Sequence, residues 1–143
     1  MKNIESRPIK FRIWGKRSKR FINIDDDEFA IRIDGTILSI EHRTGSGDVY
    51  RDSEGEFFEA QQFTGLQDKN GQKIYEGDII KFSVKVETEK FELFVCEYDD
   101  SQACYIFYKN GKKDILGGYC FSQNESKSLQ IIGNIFENSE LLK

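Results

Sequence analysis

The chain has 143 residues, enough for one average domain or two small ones sharing a core. Hydrophobic residues make up 38% and charged residues 32%, so the core is thin, and 12 Phe, 6 Tyr and 1 Trp must supply much of its area. The net charge of −4 is uneven: residues 1–22 hold eight basic side chains and one acid, whereas the other 121 carry 13 basic and 24 acidic. No apolar run is long enough for a helical membrane span, and the start MKNIESRPIKF has no apolar stretch of the secretory kind. A single Pro and 12 Gly do not describe a disordered chain. The expectation is a soluble, cytosolic, globular protein.

Period-two alternation dominates the chain. Lys10-Phe11-Arg12-Ile13-Trp14 places Phe11 and Ile13 on one face of a strand and the cations on the other. Gly15 to Ser18 reads as a turn and Arg20 to Ile24 as the return strand. Asp25-Asp26-Asp27-Glu28 is an exposed acidic connection. Ala30–Ile33 and Thr36–Ile40 flank Asp34-Gly35, and that pair predicts a hairpin closed by a type I′ turn. The polar stretch from Thr44 to Glu56 marks a boundary. Beyond it, Asn70-Gly71 asks for a second tight turn. Ile74-Tyr75, Ile79–Phe82, Phe91–Tyr98, Ala103–Tyr108, Gly118–Phe121 and Leu129–Phe136 follow as strands, with residues 123–128 as a polar loop. Asn138 or Ser139 would cap one short helical turn through Leu142. Many short strands and no amphipathic helix of three turns predict an all-β fold.

Few residues carry chemistry. Tyr75-Glu76-Gly77-Asp78 entering an apolar strand resembles the opening of a small SH3-like barrel, with Asp78 bonding the following backbone N–H groups. As an acid–base pair, Glu76 and Asp78 would lack a third polar group and a nucleophile. Asp68-Lys69-Asn70-Gly71 lacks the later bidentate Glu of a calcium loop, because Gly stands at position 77. The only histidine, His42, has no second ligand nearby. Cys96, Cys104 and Cys120 are odd in number and too widely spaced for a zinc site, which predicts buried, reduced thiols in a reducing cytosol. Glycine-rich phosphate loops, nucleophile elbows and zinc-protease motifs are absent from the sequence. The one constellation with functional content is basic and aromatic: Lys10, Arg12, Trp14, Lys16, Arg17, Lys19 and Arg20. Cations that track phosphates and a ring for base stacking suit nucleic acid. The same pattern equally describes a solvated hairpin with Trp14 in its core.

Three segments together carry a family likeness: Phe11-Arg12-Ile13-Trp14 running to Phe21, the stretch Gln62 to Ile79, and Ile132 to Leu142. Their order and spacing resemble the YopX family of bacteriophage and prophage proteins, over Ile9 to Leu142. The central Thr64-Gly65-Leu66, Asp68-Lys69-Asn70-Gly71 and Tyr75-Glu76-Gly77-Asp78 are the specific part. The resemblance implies a small phage-encoded cytosolic protein, mainly β, with no catalytic residue to carry over. Two positions depart from the family pattern. The turn after Trp14 is strongly basic here, and Ser139 stands where Pro is frequent.

These readings converge on N-terminal β-hairpins (residues 1–60) packed with a C-terminal SH3-like barrel (61–143) around one shared core. The expected role is that of a phage or prophage accessory protein, not an enzyme, without cofactor, metal or membrane, that binds a protein partner or itself. The alternative is a nucleic-acid module built on the hairpin at residues 10–20.

Overall fold

Alternating sequence becomes strand wherever turns fold it back on itself, and the computed structural model describes this for residues 8–23, 28–40, 45–83, 91–113 and 118–143. The fold is all-β: eleven strands and two short 3-10 turns, with no α-helix among the described residues. Among these residues no helix is long and apolar enough to cross a membrane. The acidic run Asp25–Asp27 and His42 lie outside the described residues. The chain divides into two compact units, one of residues 11–61 and the other of residues 1–10 with 62–143.

The unit of residues 11–61 begins with β1 (Phe11–Gly15) and β2 (Arg20–Phe21), paired Trp14 to Phe21 and Gly15 to Arg20. The return strand is thus two residues long, although the pattern extends further. Lys19, at φ 53°, closes the turn, and its N–H donates to Gly15 O at 2.9 Å. Next come β3 (Glu28–Ile31), β4 (Ile37–Ile40) and β5 (Val49–Asp52), a three-stranded antiparallel sheet in that order. The β3–β4 connection is not type I′. Only Gly35 has a positive φ, 84°, and its N–H donates to Arg32 O at 2.9 Å while Arg32 N–H donates to Thr36 O at 3.0 Å. The loop therefore takes five residues, 32–36, with a left-handed glycine as the fourth. Asp34 holds it by accepting from Thr36 N–H at 3.0 Å, and Asp34 itself does not take a positive φ. Among the described residues of this unit, Trp14 and Ile37 are the buried apolar side chains, and Phe29 meets Phe58 edge-on at 5.1 Å.

Strand β6 (Phe58–Gln67) starts in this unit and continues into the other, where β7 (Lys73–Tyr75) pairs with it. Asp68 to Gln72 repeats the five-residue loop, with Gly71 N–H donating to Asp68 O at 3.0 Å. Then β8 (Asp78–Ser83), β9 (Phe91–Asp99), β10 (Cys104–Lys109) and β11 (Gln130–Asn134) form an antiparallel sheet ordered β10-β9-β8-β11. Its two central strands are buried on both faces: Ile79 and Val95 on one, Ile80, Phe94 and Cys96 on the other. The core joins Ile74, Ile80, Phe94, Cys96, Phe107 and Leu129, with Phe82 and Phe121 packed against it. Phe121 meets Phe107 edge-on at 5.0 Å and Phe82 at 5.4 Å.

Three local expectations change here. Residues 118–121 make a single bridge, Phe107 with Tyr119, instead of a strand. The loop at 123–128 contains a 3-10 turn, Glu125–Ser128. The terminal turn, Ser139–Leu142, has Asn138 at its N-cap position but no side-chain cap, because Asn138 Oδ1 accepts from Asn134 N–H at 3.2 Å.

Candidate functional site

The basic hairpin is only partly a surface. Trp14 is 4% exposed, edge-on to Phe21 at 5.0 Å, so its ring fills the hairpin's inner face and offers no plane to a base. Arg12 Nε donates to Gln61 Oε1 at 2.8 Å, and its guanidinium lies 4.5 Å above the Phe21 ring. Lys16 Nζ donates to Gly55 O at 2.6 Å and lies 3.7 Å from Glu59 Oε2. These two cations tie the hairpin to β6 and to the segment entering it. Arg17, Lys19 and Arg20 stay exposed at the turn, with Arg17 5.4 Å from the Phe57 ring centre. Lys10 is exposed and belongs to the other unit, where its carbonyl accepts from Phe63 N–H at 2.8 Å.

What the hairpin does create is a cleft of about 550 Å³ in the unit of residues 11–61. Arg17 and Arg20 line it together with Tyr50, Arg51, Phe57 and Phe58. Sequence reasoning missed the last four, which sit in and beyond the stretch read as a boundary. Their position follows from Asp52. This buried carboxylate accepts from Glu56 N–H at 2.8 Å, Phe57 N–H at 2.9 Å and Phe58 N–H at 2.7 Å, curling the chain back beside the hairpin. An Asp placed before a Ser/Glu/Gly turn was the available signal. Beside the cleft, β5 has β4 as its only neighbour among the described residues, and Val49 and Tyr50 on it are 53% and 54% exposed.

Carboxylates in the other unit serve the backbone. Asp78, 1% exposed, accepts from Tyr75 N–H at 2.8 Å, back across its turn, and Glu76 Oε2 accepts from Gln62 N–H at 2.6 Å. Asp68 Oδ1 accepts from the N–H groups of Asn70 and Gln72, and Oδ2 from Ile131 N–H. Asp99 accepts from Ser101 and from the Tyr108 hydroxyl, which hold its carboxyl down to about 2, and the same bond with Asp99 pushes Tyr108 up to about 12. No three His, Cys, Asp or Glu side chains among the described residues are placed to hold a metal ion.

The thiols correct a sequence expectation. Only Cys96, on a central strand, is buried; Cys104 is half-buried at the start of β10 and Cys120 is exposed beside the Tyr119 bridge. Their sulfurs lie 3.8 Å apart. Burial, with the Cys104 hydrogen bond, raises the Cys120 thiol above its ordinary range.

Two solved structures share this architecture. Protein EF1440 from Enterococcus faecalis is 25% identical, with a TM-score of 0.59 over 96% of this chain and 100% of its own. Protein yopX from Bacillus subtilis is 18% identical, with a TM-score of 0.58 over 93% of this chain and 95% of its own. No curated protein matches the sequence significantly. The sequence profile described as YopX protein matches residues 10–143, and on that match the chain belongs to the YopX family.

Proposed function

We propose that this chain is a non-catalytic association protein, a phage or prophage accessory factor working in the cytoplasm of a bacterial host, and that its partner is a second copy of itself. The observation that carries this reading is the open edge of β5. An edge strand normally carries Lys, Pro or a bulge that discourages pairing. Val49-Tyr50-Arg51 has none of these, and it presents an aliphatic and an aromatic side chain to solvent. Two copies of β5 laid antiparallel with Val49 opposite Tyr50 also put Asp48 opposite Arg51, a charge match repeated by the two-fold axis. In the other unit, the antiparallel order β10-β9-β8-β11 is compatible with an SH3-like barrel. Light scattering after gel filtration tests the reading. It expects a dimer that Tyr50→Glu converts to a monomer. A wild-type monomer at high concentration would overturn it and leave a different polypeptide as the partner.

A second reading has one specific observation in its favour. Arg17, Arg20, Arg51, Tyr50 and Phe57 converge on one cleft, giving the hairpin the stacking rings that Trp14 does not supply. Oligonucleotide binding that disappears in Arg17→Glu with Arg20→Glu, and weakens steeply with salt, would support it. Binding indifferent to both changes would end it.

A further inference from the structure

The unit of residues 1–10 and 62–143 holds a cleft of about 950 Å³ that no reading above uses. Four lysines line it, from four separate places in the chain. Lys10 precedes β1. Lys69 sits in the loop after β6 and donates its N–H to Leu129 O at 2.9 Å. Lys73 opens β7 opposite Gln67. Lys127 lies in the 3-10 turn anchored by buried Ser126. All four are exposed, and among the described residues none has an ion-pair or hydrogen-bond partner for its ammonium group.

One acid lines the same cleft, Asp68; its single charge offsets at most one of the four, and it forms no ion pair with them. It is 2% exposed, and both its oxygens already accept backbone N–H groups from Asn70, Gln72 and Ile131. Thr64 and Ser126, the hydroxyls of the lining, are likewise occupied: Thr64 donates to Ile74 O and accepts from Leu66 N–H, and Ser126 donates to Gln123 O. In a chain of net charge −4, this is a concave surface lined by four lysines against one aspartate, a positive excess. Such a surface concentrates anions.

The chemistry of the lining narrows the ligand. The ammonium groups only donate, so they suit a chain that only accepts. A phosphodiester backbone is such a chain, with a charge on every unit, whereas the backbone N–H groups of an acidic peptide find no partner on an ammonium group. The one aromatic in the lining, Phe63, is buried, which leaves no plane for a base. Lysine acts on phosphate as a mobile point charge without base selectivity. We propose that this cleft holds the sugar–phosphate backbone of a nucleic-acid strand and does not read its bases. The inference rests neither on the dimer nor on the arginine cleft.

Fluorescence anisotropy of the full chain with labelled oligothymidylate and oligoadenylate, across a series of salt concentrations, tests it. Both oligomers should bind alike. Each neutralised phosphate on a single strand contributes about 0.7 to the slope of log affinity against log salt, so Lys69→Gln with Lys73→Gln should flatten that slope by about 1.4. Both lysines are exposed, and an unchanged thermal midpoint confirms the variant's fold. Arg17→Glu with Arg20→Glu should leave this 1.4 difference intact, which separates the lysine cleft from the arginine cleft. Three outcomes would overturn the proposal: no binding at low salt, a slope unmoved by the lysine changes, or polyglutamate competing as well as the oligonucleotide.

Discussion

Asp99 illustrates how single residues work in this protein. The carboxylate takes hydrogen bonds from Ser101 and from the Tyr108 hydroxyl, and these lower its pKa from 3.8 to about 2. A group whose folded pKa is depressed contributes stability above its unfolded value and loses it as pH falls. The Asp99 contribution is therefore complete above pH 3.8 and disappears towards pH 2. Tyr108 has the opposite sign: bonded to Asp99, its pKa rises from 10.0 to about 12, so its contribution is complete below pH 10 and lost on approaching 12. Thermal midpoints measured against pH should fall at both ends. In Tyr108→Phe both falls should diminish: Ser101 remains on Asp99, and Lys113, raised by its bond to Glu97, still contributes at the alkaline end. The cysteines give a second expectation at this scale. The oxidant diamide, reduced to its hydrazine, should take two hydrogens from Cys104 and Cys120 and join them. The raised Cys120 thiol should make the reaction faster at higher pH. Peptide mapping should find this disulfide and a free, buried Cys96.

At the scale of elements, side-chain oxygens at turns decide where strands begin. Asp34, Asp52, Asp68, Asp78 and Asn134 each accept backbone N–H groups next to a strand end. Asp52 is the clearest test, because three successive donors converge on it ahead of β6. Asp52→Ala leaves these donors without their charged acceptor and should cost about 2 kcal/mol, read as a lower urea midpoint at unchanged slope. The sequence announces such turns only in part. Asn70-Gly71 was legible as a turn, but Asp34-Gly35 suggested the wrong type. The type I′ geometry falls instead at Asn110-Gly111, where φ is 50° and 69° and Lys112 N–H donates to Lys109 O at 3.0 Å. A two-residue motif specifies that the chain reverses. Which of several compatible loops forms depends on what the Asp side chain bonds to.

For the whole molecule, the self-association proposed above would link the exposed β5 edge to behaviour in solution. A dimer more stable than its monomers makes the thermal midpoint rise with protein concentration. That rise should be present in the wild type and absent in Tyr50→Glu, a calorimetric check independent of light scattering. The acidic balance also gains a physical meaning at this scale: many of the carboxylates outside residues 1–22 brace turns, so they contribute less to a catalytic or metal-binding inventory than their number suggests.

The sequence alone determined the all-β class, most strand positions, a core that leans on aromatic rings, and the family, because composition, alternation and family motifs are written in neighbouring residues. Only the tertiary structure decided that Trp14 is buried, that Cys104 faces Cys120, that Tyr50 joins Arg17 at one cleft, and that Lys10, Lys69, Lys73 and Lys127 surround another. Each of these depends on residues far apart in the chain, and pairing of non-local strands sets such distances where periodicity within a strand cannot.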